Sequence, residues 1–326
     1  MLLVSGDIAR RTGGNLYDRH MELACRRAGV PLRIIFVRSR THARSELARL
    51  RPRLIVIDSI AIPIAAPLVD WARAELDTRV IALMHMPTNA RGTRALLRAA
   101  DHVVAVSPSL AGALGLPRSR VSVIPPGRDG IPRLRRRARP RDDDVLRILS
   151  VANWSPSKGV ATLVAAAALV PGIHLDLVGD SGAGPYRAAV LERIRRSGSG
   201  SRVAIHGKLD ERALARRYAE ADAFVLPTQR EGYGTVFAEA LEHGLPVIAS
   251  DIAPVRAIVG DAGLFVPPRR VRPLVSALRL MSDTWLRRRL AKGARDRARA
   301  LPSWAASQRA FVALVRRQMQ PAIAGR

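Results

Sequence analysis

The chain has 326 residues, 48% of them hydrophobic and 25% charged, which suits two domains and excludes a disordered, collagenous or coiled-coil chain. Fifty-four basic residues against 27 acidic ones leave a net charge of +27, and such a surface favours anionic partners: nucleotides, phospholipid headgroups or nucleic acid. The one cysteine, Cys25, excludes an internal disulfide framework and a Cys-based zinc cluster, and suits a reducing cytoplasmic setting. Only Lys158, Lys208 and Lys292 are lysines. Exposed Lys and Arg interchange wherever no bidentate contact is needed, so part of the arginine bias carries no functional message. Aromatic residues make up 4% of the chain, and no helix-turn-helix, RNA-recognition or zinc-finger pattern is present. Nucleic acid is therefore not expected as the main partner.

Short β-branched runs alternate with amphipathic stretches from end to end, the pattern of parallel sheets with crossover helices. In the first half strands are expected over residues 2–5, 32–37, 54–58, 80–84, 103–106 and 122–124, with helices over 16–28 and 43–50. The N-terminus opens on the strand-like Met1-Leu-Leu-Val-Ser5 with no basic leader, so no signal peptide is expected. The apolar stretch 54–69 is broken by Asp58, Pro63 and Pro67, and 160–170 falls short of the ~20 apolar residues that a membrane span needs.

Pro125-Pro126-Gly127 then leads into Arg133-Leu-Arg-Arg-Arg-Ala-Arg-Pro-Arg141 and Asp142-Asp143-Asp144. Pro, Gly and blocks of like charge cannot pack a core, so this is an exposed linker. The expected division is a first domain over 1–127, a linker over 128–145 and a second domain over 146–302. The second half repeats the rhythm, with strands over 146–151, 175–178, 203–205, 223–226, 247–250 and 264–266. Helices follow over 271–281, 283–300 and 304–319, the last (within 303–326) expected to pack back on the first domain. The middle one carries Arg287, Arg288, Arg289, Lys292, Arg295, Arg297 and Arg299, either a solvated face or a patch for anionic lipid. The fold class is α/β, two doubly wound Rossmann-like domains facing a central cleft, with ligands beyond the carboxyl ends of the strands.

The densest chemistry lies in Val225-Leu-Pro-Thr-Gln-Arg-Glu-Gly-Tyr-Gly-Thr-Val-Phe-Ala-Glu239. A strand ends near Leu226, a glycine-containing turn follows, and a helix starts near Thr235. Gly232 and Gly234 let a ligand approach the backbone, and free N–H groups at the helix start would face an anion. Glu231 and Glu239 suit sugar or ribose hydroxyls, which donate hydrogen bonds to ionised carboxylates. Phosphate at a helix end with hydroxyls on two glutamates describes a nucleotide sugar. A helix cap beside a surface glutamate is the plainer reading of this segment alone.

Glu231-Gly-Tyr-Gly with Glu239 eight positions on, His243-Gly-Leu-Pro-Val-Ile-Ala-Ser250 and Gly260-Asp-Ala-Gly263 closely resemble the glutamate-x7-glutamate signature of retaining GT-B glycosyltransferases of family 4, the glycosyl transferases group 1. Thr12-Gly13-Gly14, Met84-His85-Met86, Val106-Ser107, Ile124-Pro-Pro-Gly127 and Pro156-Ser-Lys158-Gly159 fall in the family's order. The resemblance implies a GT-B fold, no metal and no cofactor beyond the nucleotide-sugar co-substrate. It implies that Glu231 holds donor-sugar hydroxyls near the reacting carbon, Glu239 accepts ribose hydroxyls, and Lys158 neutralises the diphosphate. Gly13 and Gly14 would present backbone to diphosphate or acceptor, and His85 would touch the donor sugar. Gly232, Tyr233, Gly234, Thr235 and Val236 would line the phosphate and sugar.

Many family members carry an arginine five positions before the lysine, where this chain has Asn153. Asparagine binds phosphate without charge, and a lost charge-assisted bond costs ~1.5–3 kcal/mol unless replaced; Arg230 is the nearby replacement. Ala257 also stands where an acidic residue is common. The implied reaction is front-face transfer of a hexosyl group to a hydroxyl acceptor: a lipid-linked sugar, a polysaccharide or a small metabolite. The dispersed arginines favour a place at the inner face of the membrane. A non-catalytic GT-B scaffold and a same-fold nucleotide-sugar epimerase or phosphorylase are the alternatives.

Overall fold

The computed structural model describes residues 1–6, 12–134 and 145–320, so most of the expected linker, 135–144, lies outside the described residues. The chain forms two compact units, Met1–Pro126 with Ser303–Arg326, and Gly127–Pro302.

In the first unit the order is β1 (Leu2–Val4), α1 (Gly13–Arg27), β2 (Ile34–Phe36), α2 (Arg40–Leu50), β3 (Leu54–Asp58), α3 (Ile62–Ala65), α4 (Val69–Leu76), β4 (Arg79–Met84), α5 (Thr93–Ala99), β5 (His102–Ala105), α6 (Pro108–Ala113) and β6 (Val121–Val123). The strands form one sheet in the order β2-β1-β3-β4-β5-β6, parallel throughout. β3, Leu-Ile-Val-Ile-Asp, is buried along its whole length, as a parallel strand covered on both faces must be. Helix starts are set by side-chain caps. Thr12, Ser39 and Ser107 accept from the N–H groups of Asn15, His42 and Leu110, satisfying donors that a helix start leaves open. Thr12 thereby pulls Gly13 and Gly14 into the first turn of α1, three residues before the expected start.

The second unit runs β7 (Leu146–Val151), α7 (Val160–Ala168), β8 (Ile173–Val178), α8 (Pro185–Arg196), β9 (Val203–Gly207), α9 (Glu211–Glu220), β10 (Ala223–Leu226), α10 (Thr235–Glu242), β11 (Val247–Ser250), α11 (Ala253–Val259), β12 (Gly263–Val266), α12 (Val271–Met281) and α13 (Thr284–Ala300). A last helix, α14 (Trp304–Met319), belongs to the first unit. There Trp304 and Phe311 flank Tyr17 of α1 with ring centroids 6.2 and 6.4 Å away. The second sheet is also parallel, in the order β12-β11-β10-β7-β8-β9. Its core gathers Leu163 and Val164 of α7, Leu175 and Leu177 of β8, and Leu274, Leu278 and Met281 of α12. β8 starts two residues earlier than expected because His174 and Asp176 interrupt its apolar run. Asp176 is paired with His206 of β9 at 2.5 Å, which lets a polar face exist on a mostly buried strand.

Strand order reverses between β7 and β10 in the second sheet, and between β1 and β3 in the first. In doubly wound sheets ligands bind beyond the carboxyl ends of the strands at that reversal. The residues after those strands are therefore the ones that matter.

Candidate functional site

In the second unit the segments after β7 and β10 are bound to each other by their backbones. Gly159 has φ 72°, and a Cβ on it would lie 2.2 Å from the Pro227 carbonyl oxygen. Only glycine allows that approach. The Gln229 N–H donates to the Ser157 carbonyl at 2.7 Å, and the Gln229 Nε2 donates to the Pro156 carbonyl at 2.9 Å. The Thr228 hydroxyl adds a third bond, to Ser157, at 3.2 Å. This seam brings Lys158 Nζ to 2.5 Å from Glu231 Oε1, across 73 residues of chain. Glu231 is largely buried and Lys158 half-buried, so the pair sits at the rim with the ammonium more open to solvent.

Gly234 caps α10 with φ 101° and offers no side-chain acceptor to the first turn. A Cβ there would lie 2.8 Å from the Phe237 ring. The start of α10 at Thr235 and Val236 therefore carries backbone donors without a capping side chain, the arrangement suited to an anion. Glu239 is buried one turn inside, where the Tyr218 hydroxyl donates to its Oε2 at 2.9 Å. Tyr218, on α9, stacks on His243 at 4.7 Å, and His243 Nδ1 bonds the Glu239 carbonyl at 2.9 Å. Tyr233 is buried, its phenol is pushed up to about 12 by burial, and its hydroxyl meets no partner among the described residues. Gly232 is buried beside it.

Asn153 uses its carboxamide oxygen structurally. It accepts from the Asp180 N–H at 3.1 Å, while Trp154 N–H donates to the Asp180 carbonyl at 2.7 Å. Gly179 makes this possible, since a Cβ on it would lie 2.1 Å from the Ala152 carbonyl. Asp180 also pairs with Lys208 at 3.2 Å, so a second of the three lysines stands at the loop that Asn153 anchors. Arg230 is exposed. Tyr218 and Lys208 were not legible as site neighbours, because neither lies in a spacing pattern with Glu239 or Asn153.

In the first unit His85 follows β4 and Gly14 lies against its ring. A Cβ on Gly14 would come 3.3 Å from His85 Cδ2. Gly13 opens the same helix turn beside it. His85 Nε2 is 3.2 Å from Asp18 Oδ1 and 3.7 Å from Asp58 Oδ2. Asp58 is held in turn, accepting from the Ser59 hydroxyl at 3.0 Å and the Ile60 N–H at 2.8 Å. Tyr17 packs edge-on to His85 at 5.2 Å and donates to the Ile124 carbonyl at 3.0 Å. Burial works against a charged His85, and the carboxylates of Asp58 and Asp18 outweigh it, raising its pKa to about 9. Burial likewise raises Asp18 to about 7, against the pull of His85. Asp18 Oδ2 has no partner among the described residues. Among those residues Asp18, Asp58 and His85 are also the grouping close enough to hold a cation, with ligand atoms within 4.8 Å of one another. Their separations are those of direct imidazole–carboxylate pairing, which a metal would have to displace.

Comparison with known proteins places this arrangement. The family model described as glycosyl transferases group 1 matches residues 133–297, half of the chain. A D-inositol 3-phosphate glycosyltransferase of Thermomonospora curvata is 32% identical over 215 residues, covering 62% of this chain and 48% of the relative. A glycogen synthase of Mycobacterium tuberculosis is 29% identical over 185 residues, covering 53% and 44%. The chain thus spans less than half the length of either relative. Among solved structures, sucrose-phosphate synthase from Thermosynechococcus elongatus superposes with a TM-score of 0.80 at 24% identity, covering 97% of this chain and 98% of that one. The Anabaena protein HepE, solved in complex with UDP-glucose, gives 0.76 at 17% identity, covering 97% and 99%. These likenesses show the GT-B fold of two Rossmann-like units. The glutamate segment, the Lys158–Glu231 junction and the match over residues 133–297 converge: the chain belongs to the glycosyl transferases group 1.

Proposed function

We propose that this protein is a retaining, family 4 hexosyltransferase that moves a sugar from a nucleotide diphosphate sugar to a hydroxyl acceptor without a metal. The observation that carries this reading is the Lys158–Glu231 pair. It is built by a glycine-dependent seam at the strand-order reversal, with Glu239 one turn inside the adjoining helix. The complex of HepE with UDP-glucose supports a nucleotide-sugar donor of this kind.

In this reading the diphosphate takes the Lys158 ammonium and the backbone donors at Thr235 and Val236. Glu231, released from Lys158, accepts hydroxyls of the donor sugar. Glu239, oriented by Tyr218, accepts the ribose hydroxyls. Within the first unit, His85 with Gly13 and Gly14 beside it is the candidate for contact with a sugar hydroxyl. The acceptor oxygen forms its bond to the anomeric carbon on the face from which the diphosphate departs. Its proton passes to a phosphate oxygen of the leaving group. No side chain need be a nucleophile, and the enzyme acts by positioning and by stabilising the departing negative charge. A cytoplasmic place beside the membrane and a lipid-linked, polysaccharide or small-molecule acceptor complete the proposal.

Asn153 favours a second reading as a non-catalytic binding protein, because its oxygen is committed to Asp180 and it adds no charge. Kinetics separate the two. Lys158→Ala and Glu231→Ala should each lower kcat by about a hundredfold or more in a chain that melts cooperatively. A wild-type chain that binds nucleotide yet transfers no sugar to any acceptor hydroxyl, with donor hydrolysis also absent, would establish the binding protein instead.

A further inference from the structure

The basic helix α13 divides its cations into two sets. Arg287 and Arg297 turn inward, where Arg287 donates to the Met281 carbonyl at 2.8 Å and Arg297 to the Ile258 carbonyl at 2.8 Å. These are internal clamps. Trp285, Arg288, Arg289 and Lys292 stand at i, i+3, i+4 and i+7 on one face, all exposed. The opposite face, Leu290, Ala294 and Ala298, is buried.

Trp285 is 69% exposed, while Trp154 and Trp304 are buried. Its indole carries the Arg289 guanidinium 5.3 Å from the ring centroid. Leu280, 54% exposed, and exposed Arg279 end α12 on the other side of a turn formed by Ser282 and Asp283. Asp283 is the one acid between residues 279 and 292, and its carboxylate caps α13 by accepting from Leu286 N–H. Among the described residues no carboxylate pairs with Arg279, Arg288, Arg289 or Lys292. A lone exposed apolar residue needs no explanation. Here an indole and a leucine sit within four unneutralised cations, and that combination has a specific chemistry.

We propose that the tip formed by the end of α12 and the first two turns of α13 docks on an anionic phospholipid surface. Trp285 and Leu280 enter the headgroup–acyl boundary, and Arg279, Arg288, Arg289 and Lys292 engage lipid phosphates. Indole suits that boundary because one end is apolar and the other donates a hydrogen bond. The long basic stems lie along apolar surface while their heads stay at the phosphates. Charge complementarity gives attraction, and the apolar pair gives a preference for bilayer over other polyanions. The inference does not depend on transferase activity.

Sedimentation of the full chain with vesicles tests it, read together with tryptophan emission. Vesicles of phosphatidylcholine with phosphatidylglycerol should pellet the protein and shift its emission to the blue, whereas phosphatidylcholine alone should do neither. Trp285→Ala should remove the blue shift. Arg288→Glu with Arg289→Glu should weaken partitioning roughly thirtyfold or more. Both variants should melt like the parent and keep its nucleotide-induced melting shift. Binding to anionic vesicles that ignores both substitutions would overturn the proposal in favour of dispersed charge. So would Trp285-dependent retention of a single-stranded oligonucleotide without any binding to anionic vesicles.

Discussion

Gly159 shows how much of the candidate site rests on one backbone position. It lies at φ 72° with the Pro227 carbonyl where a Cβ would go, so Gly159→Ala must both strain the backbone and push apart the loops that hold Lys158 and Glu231. Left-handed geometry alone costs a non-glycine residue about 1–2 kcal/mol, and the backbone clash adds to it. Urea unfolding should show a loss of at least that size, and the variant should also lose nucleotide affinity. An unchanged midpoint would mean that the loops separate freely. The cluster of His85, Asp18 and Asp58 makes a pH prediction. His85, raised to about 9, and Asp18, raised to about 7, keep their protons in the folded chain to higher pH than in the unfolded one. Where the folded state binds more protons, stability falls as pH rises. The His85 contribution is complete below about 6.5 and is lost as pH rises through 9. Asp18 adds a loss between about 4 and 7, as burial opposes its ionisation. Asp18→Asn should flatten the dependence on both sides of neutrality, measured by melting against pH with a histidine titration by NMR. A His85 that titrates near 6.5 in the parent chain would contradict the pairing.

At the scale of elements, the twelve strands among the described residues were all legible as short apolar runs, and four of them match to the residue: β3, β7, β10 and β11. A parallel sheet buried on both faces writes itself into sequence as continuous hydrophobicity. The misses have local causes. The Thr12 cap moved the start of α1 back over two glycines, and the polar face of β8 hid its first residues. The stretch after β3 was legible only as a broken apolar segment, and folds as the short α3, a single turn and α4, with Pro63 and Pro67 near helix starts. Glu231 and Glu239 could be read from their place around the turn before α10, and Lys158 from the family resemblance. Asp18, Asp58 and Tyr218 could not, since each acts on a partner brought close only by the fold. The contact of α14 with α1 is a test at this scale. Trp304 is buried, flanks Tyr17 and stacks on His20 at 3.8 Å. Trp304→Ala should cost about 3–5 kcal/mol, seen as a lowered midpoint, whereas a change under 1 kcal/mol would mean that α14 contributes little to the unit.

For the whole molecule, the +27 charge resolves into separate local arrangements. Some arginines brace the backbone from inside, as Arg120 does by donating to the Leu97 carbonyl at 2.9 Å. Others form exposed pairs with Glu or Asp on the same helix, such as Arg195 and Arg196 with Glu192, which add little stability. The group around Trp285 is left with neither task. Among the described residues no helix is long and apolar enough to cross a membrane. The central claim is that the second unit binds a nucleotide diphosphate sugar through Lys158, Glu231 and Glu239. Its most direct test is the melting temperature of the full chain against UDP, GDP, ADP and their sugars. A ligand at about 100 times its Kd adds about 2.7 kcal/mol. One nucleotide should raise the midpoint clearly, and Glu239→Ala should abolish the shift while Tyr218→Phe reduces it. No shift with any of them, or a shift that survives Glu239→Ala, would contradict the account.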